Sequence, residues 1–307
     1  MKKIFVNLKR FDVPKSLNGI CPESDPVKWI NDLIKETIAL GLGKNEDVSI
    51  TYFLPEAFLP GALSVLGQYD DAEKKMFSIG CQSVFRDDTA EGGNFGAFTT
   101  NRPAAAMCAL GCKWTIIGHS EERKDKLEIM AAYDQSIMSD AQAMVKAGAA
   151  SSALLNRQVK SAIARGMDVV FCIGETAAEK GEGGYSEYAP RVKRVLRAQL
   201  EDGLRDIGEK IKDIVIGYEP MWAIGPGKTP ADSDYISFVS AYVKEVTSEL
   251  FGSALDVVYG GGLKEENAKS IAAIDTIDGG LVALTKFTPP IGFDPVSLGE
   301  IVKKYTE

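Results

Sequence analysis

One histidine, His119, stands in the 307 residues, and the five cysteines (Cys21, Cys81, Cys108, Cys112, Cys172) are scattered without a CxxC pair. A His/Cys metal centre and a disulfide framework therefore have too little to be built from; reduced, mostly buried thiols are expected, and no metal. Excess positive charge is also missing: 35 Lys and Arg against 43 Asp and Glu give a formal charge of −8. Without a basic field, no nucleic-acid partner is expected, although a local site for one small anion stays open. No apolar run reaches the roughly 18 residues of a membrane span, so no membrane partner is expected. The opening MKKIFVNLKRF has too short an apolar stretch for a signal peptide, and the expected location is cytoplasmic. No Ser/Gly/Pro linker divides the chain, which points to one domain over residues 1–307.

What the chain does have is 45% hydrophobic residues and a recurrent alternation of elements. Eight short β-rich runs, KIFVNL, VSITYF, MFSIGC, KWTIIG, DVVFCI, DIVIGY, LDVVYG and GGLVAL, begin near residues 3, 48, 76, 113, 168, 213, 255 and 279. Their lack of polar alternation suits strands buried on both faces. Helical stretches are expected over 25–43, 102–111, 156–166, 187–208, 233–250 and 264–274, and a polar, glycine-rich loop over 175–190. Eight βα units are the number that closes a (β/α)8 barrel. A doubly wound sheet also alternates strands and helices, but its glycine fingerprint is absent after the first run, where NLKRFDVPKS follows.

In such a barrel the chemistry sits where strands end. Alternation along strand one sends Asn7 and Lys9 to the same side, and a lysine at a barrel mouth can pair with an anionic substrate, although a lysine after a strand is more often merely solvated. Strand four ends at His119, followed by Ser120 and Glu121; neutral imidazole suits moving a proton between a carbonyl and a neighbouring hydroxyl. Strand six ends at Glu219, before Pro220, Met221 and Trp222 and a stretch through Gly225 and Lys228 whose glycines allow a lid. Desolvation under a closed lid would raise that carboxylate's basicity. The alternative is an exposed glutamate in a turn, against which the apolar Pro-Met-Trp counts. After strand seven, Tyr259 leads into Gly260-Gly261-Gly262, a run that would admit a phosphate to backbone N–H groups or form a plain turn.

Taken together, Ile117-Gly118-His119-Ser120-Glu121, Cys172-Ile173-Gly174-Glu175 and Tyr218 through Lys228 resemble the triosephosphate isomerase family, with Asn7-x-Lys9, Gly96-Ala97-Phe98-Thr99 and Tyr259-Gly260-Gly261 in family order. The resemblance spans all eight units. It implies an aldose–ketose isomerase acting on glyceraldehyde 3-phosphate and dihydroxyacetone phosphate, with Glu219 as base and neutral His119 polarising the carbonyl. Lys9 would steady negative charge, Asn7 would hold Lys9 and substrate, and Glu121 would contact the lysine. It further implies a lid over Pro220–Lys228 with Gly225 on the phosphate, Tyr259 securing the closed lid, no cofactor, and a homodimer with exchanged loops in which Thr99 takes part.

Two departures stand out. At strand eight the family's Val-Gly-Gly-Ala-Ser becomes Val282-Ala283-Leu284-Thr285-Lys286, and Gly262 replaces a serine. Ala283 and Leu284 put side chains where glycines would admit phosphate. Lys286 either supplies a compensating point charge to the phosphate site with Gly261 and Gly262, or is a surface lysine. Residues from about 125 to 150 have no family counterpart and read as one or two added helices beside the site or at the dimer contact. The altered pocket also leaves open another short substrate, such as a tetrulose phosphate, and a binding homologue without turnover.

Overall fold

In a computed structural model, which describes residues 1–225 and 227–307, the eight expected strands are β1 (Lys2–Asn7), β2 (Val48–Leu54), β3 (Phe77–Gln82), β4 (Trp114–Ile117), β5 (Asp168–Ile173), β6 (Ile214–Tyr218), β7 (Val257–Tyr259) and β8 (Gly279–Val282). All neighbours pair in parallel, and β1 closes on β8 through Lys3↔Gly279 to Val6↔Val282. The result is a closed (β/α)8 barrel.

Alternation along each strand divides two cores. Phe5, Phe53, Ile116, Val170, Cys172, Val215, Val258 and Leu281 fill the lumen, with Trp114 packed against them. Ile4 and Val6, one position either side of Phe5, point outward into the larger layer beneath the helices. Phe5 stacks on Phe53 at 5.8 Å and tilts against Trp114 at 5.0 Å. Cutting it to alanine removes the centre of that plug, at about 3–5 kcal/mol. The same parity carries Asn7 beyond Phe5, and Glu219 beyond Val215 and Gly217, to the upper mouth of the lumen.

The helices are α1 (Pro26–Ala39), α2 (Leu59–Leu66), α3 (Ala104–Leu110), α4 (Ser120–Tyr133), α5 (Ala141–Ala164), α6 (Ala177–Lys180), α7 (Tyr185–Gly203), α8 (Ser233–Phe251), α9 (Ala268–Ala272) and α10 (Pro295–Thr306). Aspartates start several of them: Asp25, Asp140, Asp232 and Asp294 each accept first-turn N–H groups, and Pro26 and Pro295 follow two of these caps. Left-handed glycines end others, Gly111 after α3 and Gly252 after α8.

Three expectations need correction. The helix anticipated over 156–166 is only the last part of α5, which begins at Ala141 because Asp140 caps it there. Residues 125–150 are thus the end of α4, a 3-10 turn over Gln135–Met138 and the start of α5, joined as a helical hairpin. The polar loop over 175–190 is largely helical: a Thr176/Glu179 capping box makes α6, and the Glu187 carboxylate accepting from the Gly184 N–H starts α7 early. The reading of 264–274 as a helix shrinks to five residues of α9, because the Asn267 side chain ties down the Lys264 N–H and the Gly262 carbonyl.

Candidate active site

The mouth of the barrel brings Asn7, Lys9, His119, Glu121 and Glu219 together from β1, β4 and β6. Glu219 is buried, and its backbone is seated by the N–H bond to Ile173 O at 2.8 Å. Gly174 has no room for a Cβ against the Glu219 carbonyl, and a Cβ on Gly260 would stand 3.0 Å from Glu219 Cγ. Glycines on both neighbouring strand ends therefore let this carboxylate sit deep in the mouth.

One Glu219 oxygen takes the Ser120 N–H at 3.0 Å, and the other takes the Ser120 hydroxyl at 3.3 Å and lies 3.1 Å from His119 Nε2. His119 Nδ1 accepts the Glu121 N–H at 3.2 Å, at the N-terminus of α4. That donor occupies the Nδ1 lone pair, so the ring's single proton is on Nε2, facing Glu219. Burial would depress the imidazole, but the charge and hydrogen bond of Glu219 more than offset it and the net direction is up. Burial would raise Glu219, and His119, the Ser120 N–H and Lys9 bring it below the ordinary value instead. Each shift belongs to the pairing and disappears when the carboxylate turns to another partner.

Lys9 is held in a left-handed backbone conformation with φ of 44°, a strained state for a non-glycine residue. Two side chains hold it there. Asn7 Oδ1 accepts the Lys9 N–H at 3.1 Å, and Gln82 Nε2 donates to Asn7 Oδ1, to the Lys9 carbonyl and to Phe53 O. The ammonium reaches Glu121 Oε1 at 2.7 Å. On the other side of His119, buried Arg123 donates to Gly118 O at 2.9 Å and Cys172 O at 2.8 Å, tying the β4 end to the β5 end.

Beyond Glu219, Met221–Ala223 form a 3-10 turn. Trp222 Nε1 donates to Glu175 Oε1 at 2.7 Å, an oxygen that also accepts from Tyr218 OH at 3.0 Å and Tyr235 OH at 2.7 Å. Burial pushes the Glu175 carboxyl up against these donors. Pro220, Met221 and Trp222 are thus anchored at the base of the segment, whereas Gly225 and Lys228 are exposed; Pro226, between them, lies outside the described residues. Gly225 and Gly227 have φ of 120° and 73°, values that require glycine.

At β7 and β8 the N–H groups of Gly261, Gly262, Ala283 and Leu284 have no backbone acceptor among the described residues, which leaves donors for an anion. The Tyr259 hydroxyl donates to Gly261 O at 3.1 Å, within its own loop. Lys286 does not lie free for an anion: its ammonium is 2.8 Å from Asp294 Oδ2. The cause is local. A hairpin over 285–292, with the Thr285 and Lys286 N–H groups both on Gly292 O, brings Lys286 beside the aspartate that caps α10. Lys264 is drawn across the gap between the two loops, its ammonium 4.2 Å from the centre of the Phe287 ring.

Gln82, Ser120 and Glu175 were not anticipated as site residues. A polar residue at or just past the end of a buried strand was the available signal for Gln82 and Glu175; Ser120 acts partly through its backbone, which sequence does not mark. Among the described residues no group of three His, Cys, Asp or Glu is placed to hold a metal ion. A cavity of about 860 Å³ opens at Asn7, Lys9, Gln82 and His119. The assembly offers a buried carboxylate, a neutral imidazole and an ammonium around one space, which suits shifting a proton between adjacent carbons of an anionic carbonyl compound.

Residues 36–289 match the triosephosphate isomerase family model. The triosephosphate isomerase of Chloroherpeton thalassium is 31% identical over 231 residues, covering 74% of this chain and 77% of its own length. Those of Chlorobium chlorochromatii and Geobacter metallireducens are 36% and 35% identical over 193 and 192 residues, and the match spans 64% of the length of each. The crystal structure of triosephosphate isomerase from Bartonella henselae superposes with a TM-score of 0.67, over 100% of this chain and 99% of that one, at 20% identity, a likeness of fold.

Proposed function

This chain belongs to the triosephosphate isomerase family, and on that premise we propose that it interconverts glyceraldehyde 3-phosphate and dihydroxyacetone phosphate. It is an aldose–ketose isomerase. The observation that carries this reading is the meeting of Glu219, His119 and Lys9, from three different strands, around one space.

The substrate's carbonyl and neighbouring hydroxyl take the place of Glu219 against His119 Nε2. Released from Ser120 and His119, the buried carboxylate loses the interactions that hold its pKa down and becomes the stronger base that a carbon acid demands. It takes the proton from the carbon beside the carbonyl while His119 donates its Nε2 hydrogen to the developing oxyanion and Lys9 balances the charge. Glu219 returns its proton to the adjacent carbon while His119 Nε2 takes a proton back from the neighbouring hydroxyl as that oxygen becomes the new carbonyl, and both groups end as they began. Atoms and electrons balance within the substrate, so no cofactor enters. Asn7 and Gln82 keep Lys9 aimed, and Glu121 holds its ammonium until substrate arrives.

The free N–H groups of Gly261, Gly262, Ala283 and Leu284, with Gly225 from the lid, receive the phosphate. Pro220, Met221 and Trp222 form the fixed end of that lid, Lys228 stands at its far end, and Tyr259 supports it from below. The chain is one domain carrying a helical hairpin over about 125–150, and it works as a homodimer with the loop around Thr99 exchanged. Charged sugar phosphates do not cross membranes unaided, which supports an enzyme that shares its substrate's compartment, here taken as the cytoplasm.

Coupled-assay turnover of glyceraldehyde 3-phosphate, run beside Glu219→Gln and Leu284→Gly, tests the proposal. Activity abolished by Glu219→Gln supports it. An inert wild type that gains triose activity only as Leu284→Gly places the substrate among other sugar phosphates.

A further inference from the structure

We infer that the largely buried Glu122 carboxylate, in the first turn of α4, is a positioning residue that holds His119 and Lys9 at a fixed separation. This rests on the isomerase reading above, in which those two side chains act on one developing oxyanion, and extends it to a residue that takes no part in the chemistry.

The carboxylate stands between two arms of the site. Its Oε2 accepts the Gly118 N–H at 2.8 Å, and Gly118 is the residue before His119. Its Oε1 accepts from Ser83 Oγ at 3.1 Å, from Gln158 Nε2 at 2.8 Å and from Lys126 Nζ at 3.0 Å. Ser83 follows Gln82, whose amide donates to Asn7 Oδ1 and to the Lys9 carbonyl. One peptide bond beyond Glu122's partners thus lies the imidazole on one side and the group that aims the ammonium on the other. Gln158, from α5, strengthens the second arm by donating to Ser83 Oγ at 2.8 Å and to Val84 O at 2.7 Å.

Both anchor points are backbone that needs holding. Gly118 has φ of 78°, and a Cβ there would stand 3.0 Å from the Cys172 carbonyl oxygen; Ser83 has φ of 70°, a left-handed state that a non-glycine residue adopts only at a cost. Arg123, the residue after Glu122, donates to the Gly118 carbonyl at 2.9 Å. Two consecutive side chains of opposite charge therefore grip the N–H and the C=O of the residue that precedes His119. Burial alone would raise the Glu122 carboxyl, but Lys126, the Gly118 N–H and Gln158 bring it below the ordinary value, so the anion that makes these bonds is present at neutral pH. No hydrogen bond or ion pair joins Glu122 to Lys9, His119 or Glu219 among the described residues; its influence runs through the backbone.

Glu122→Ala and Glu122→Gln separate position from charge, because both remove the charge and only glutamine keeps an acceptor for the Gly118 N–H. Two readouts are taken on each protein: steady-state kinetics on glyceraldehyde 3-phosphate, and the pH titration of the imidazole 15N signals, which belong to one residue because the chain has one histidine. The charged groups around that ring are Lys9 after β1, Glu219 after β6, and Glu121 with Glu122 on α4. We expect Glu122→Ala to lower kcat roughly tenfold or more while KM changes about threefold at most. The His119 titration then moves down toward the ordinary value of about 6.5 as its contact with Glu219 loosens, and Glu122→Gln restores most of both. A variant that only melts earlier, with kcat and titration unmoved, overturns the inference, and so does a glutamine variant as damaged as alanine. If the wild type turns over no triose phosphate, the substrate reading falls and the titration decides alone: a shift in Glu122→Ala that Glu122→Gln reverses supports the positioning role, and no shift overturns it. Should Glu122→Ala fail to fold, Ser83→Ala decides, since it loosens only the Lys9 arm: kcat lowered about threefold or more with the His119 titration in place supports the inference, and an unaltered kcat overturns it.

Discussion

The Glu219 carboxylate stands 3.1 Å from Nε2 of His119, so the two groups proposed to act on opposite ends of the reacting unit are each other's partner before substrate binds. A buried carboxylate left alone would protonate, and a buried imidazole left alone would lose its hydrogen-bond acceptor. Their pairing keeps Glu219 ionised and gives the Nε2 proton of His119 an acceptor, and on the proposed mechanism substrate binding exchanges that pairing for contacts with the reacting atoms.

Glu219→Gln preserves the hydrogen bonds to Ser120 and the volume of the side chain while removing the base. We expect kcat to fall by roughly a thousandfold with little change in thermal stability. Steady-state kinetics and a melting curve on the same sample check both halves. A kcat within tenfold of wild type excludes Glu219 as the proton acceptor.

The pairing also fixes the acid side of the pH profile. Glu219 is held below the ordinary glutamate value of about 4.3 in the free protein, so protonation of Glu219 itself reduces kcat/KM only below that value, whereas His119, pushed up by the same pairing, limits it at higher pH. In the complex the carboxylate has left His119 and burial dominates, which moves the acid limb of kcat to higher pH. The same depressed pKa means that the group's contribution to folding is present above about pH 4.3 and is lost as pH falls through the folded value. Replacing His119 with Asn removes the largest lowering influence on Glu219, and the Glu219 limb of kcat/KM then rises. A limb that stays in place on that substitution shows that His119 does not set it.

How much of this was legible in the sequence follows from what each feature depends on. The eight strands were readable because doubly buried strands are continuous apolar runs, and parity alone carried Asn7 and Glu219 to the mouth. Helix limits were less so: α5 begins at Ala141 through a side-chain cap on Asp140 inside a stretch with weak apolar periodicity. The three donors converging on Glu175 come from β6, the lid base and α8, and no local spacing predicts such a meeting. Lys286 is the clearest case, since a charge near strand eight looked available to phosphate until Asp294, eight residues on, was seen to hold it.

That ion pair makes a prediction of its own. With its ammonium engaged by Asp294, Lys286 is expected to add little to phosphate binding, so that Lys286→Met leaves KM within about twofold while lowering stability by at most about 1 kcal/mol, as half-exposed pairs do. Initial rates across a substrate series check this. A tenfold or larger rise in KM means that the lysine leaves Asp294 for the substrate.

Glu175 separates the charge of a buried carboxylate from its hydrogen bonds. Burial raises its pKa against the hydrogen bonds from Tyr235, Trp222 and Tyr218, so the fold binds its proton more tightly than the unfolded chain does. The stability linked to that proton is complete below the unfolded value of about 4.3 and is lost as pH rises through the folded value. Glutamine offers the same carbonyl oxygen to the three donors without a charge to desolvate. Glu175→Gln is therefore at least as stable as wild type at pH 7, with the difference closing toward pH 4. Glu175→Ala leaves the buried Tyr218 and Tyr235 hydroxyls and the half-buried Trp222 N–H unmet and costs about 3 kcal/mol or more. Urea melts of the three proteins at the two pH values read these outcomes. If Gln is as damaging as Ala at pH 7, the negative charge itself holds Tyr218, Trp222 and Tyr235 in place, and the lid is anchored by an ion–dipole cluster rather than by a shared acceptor.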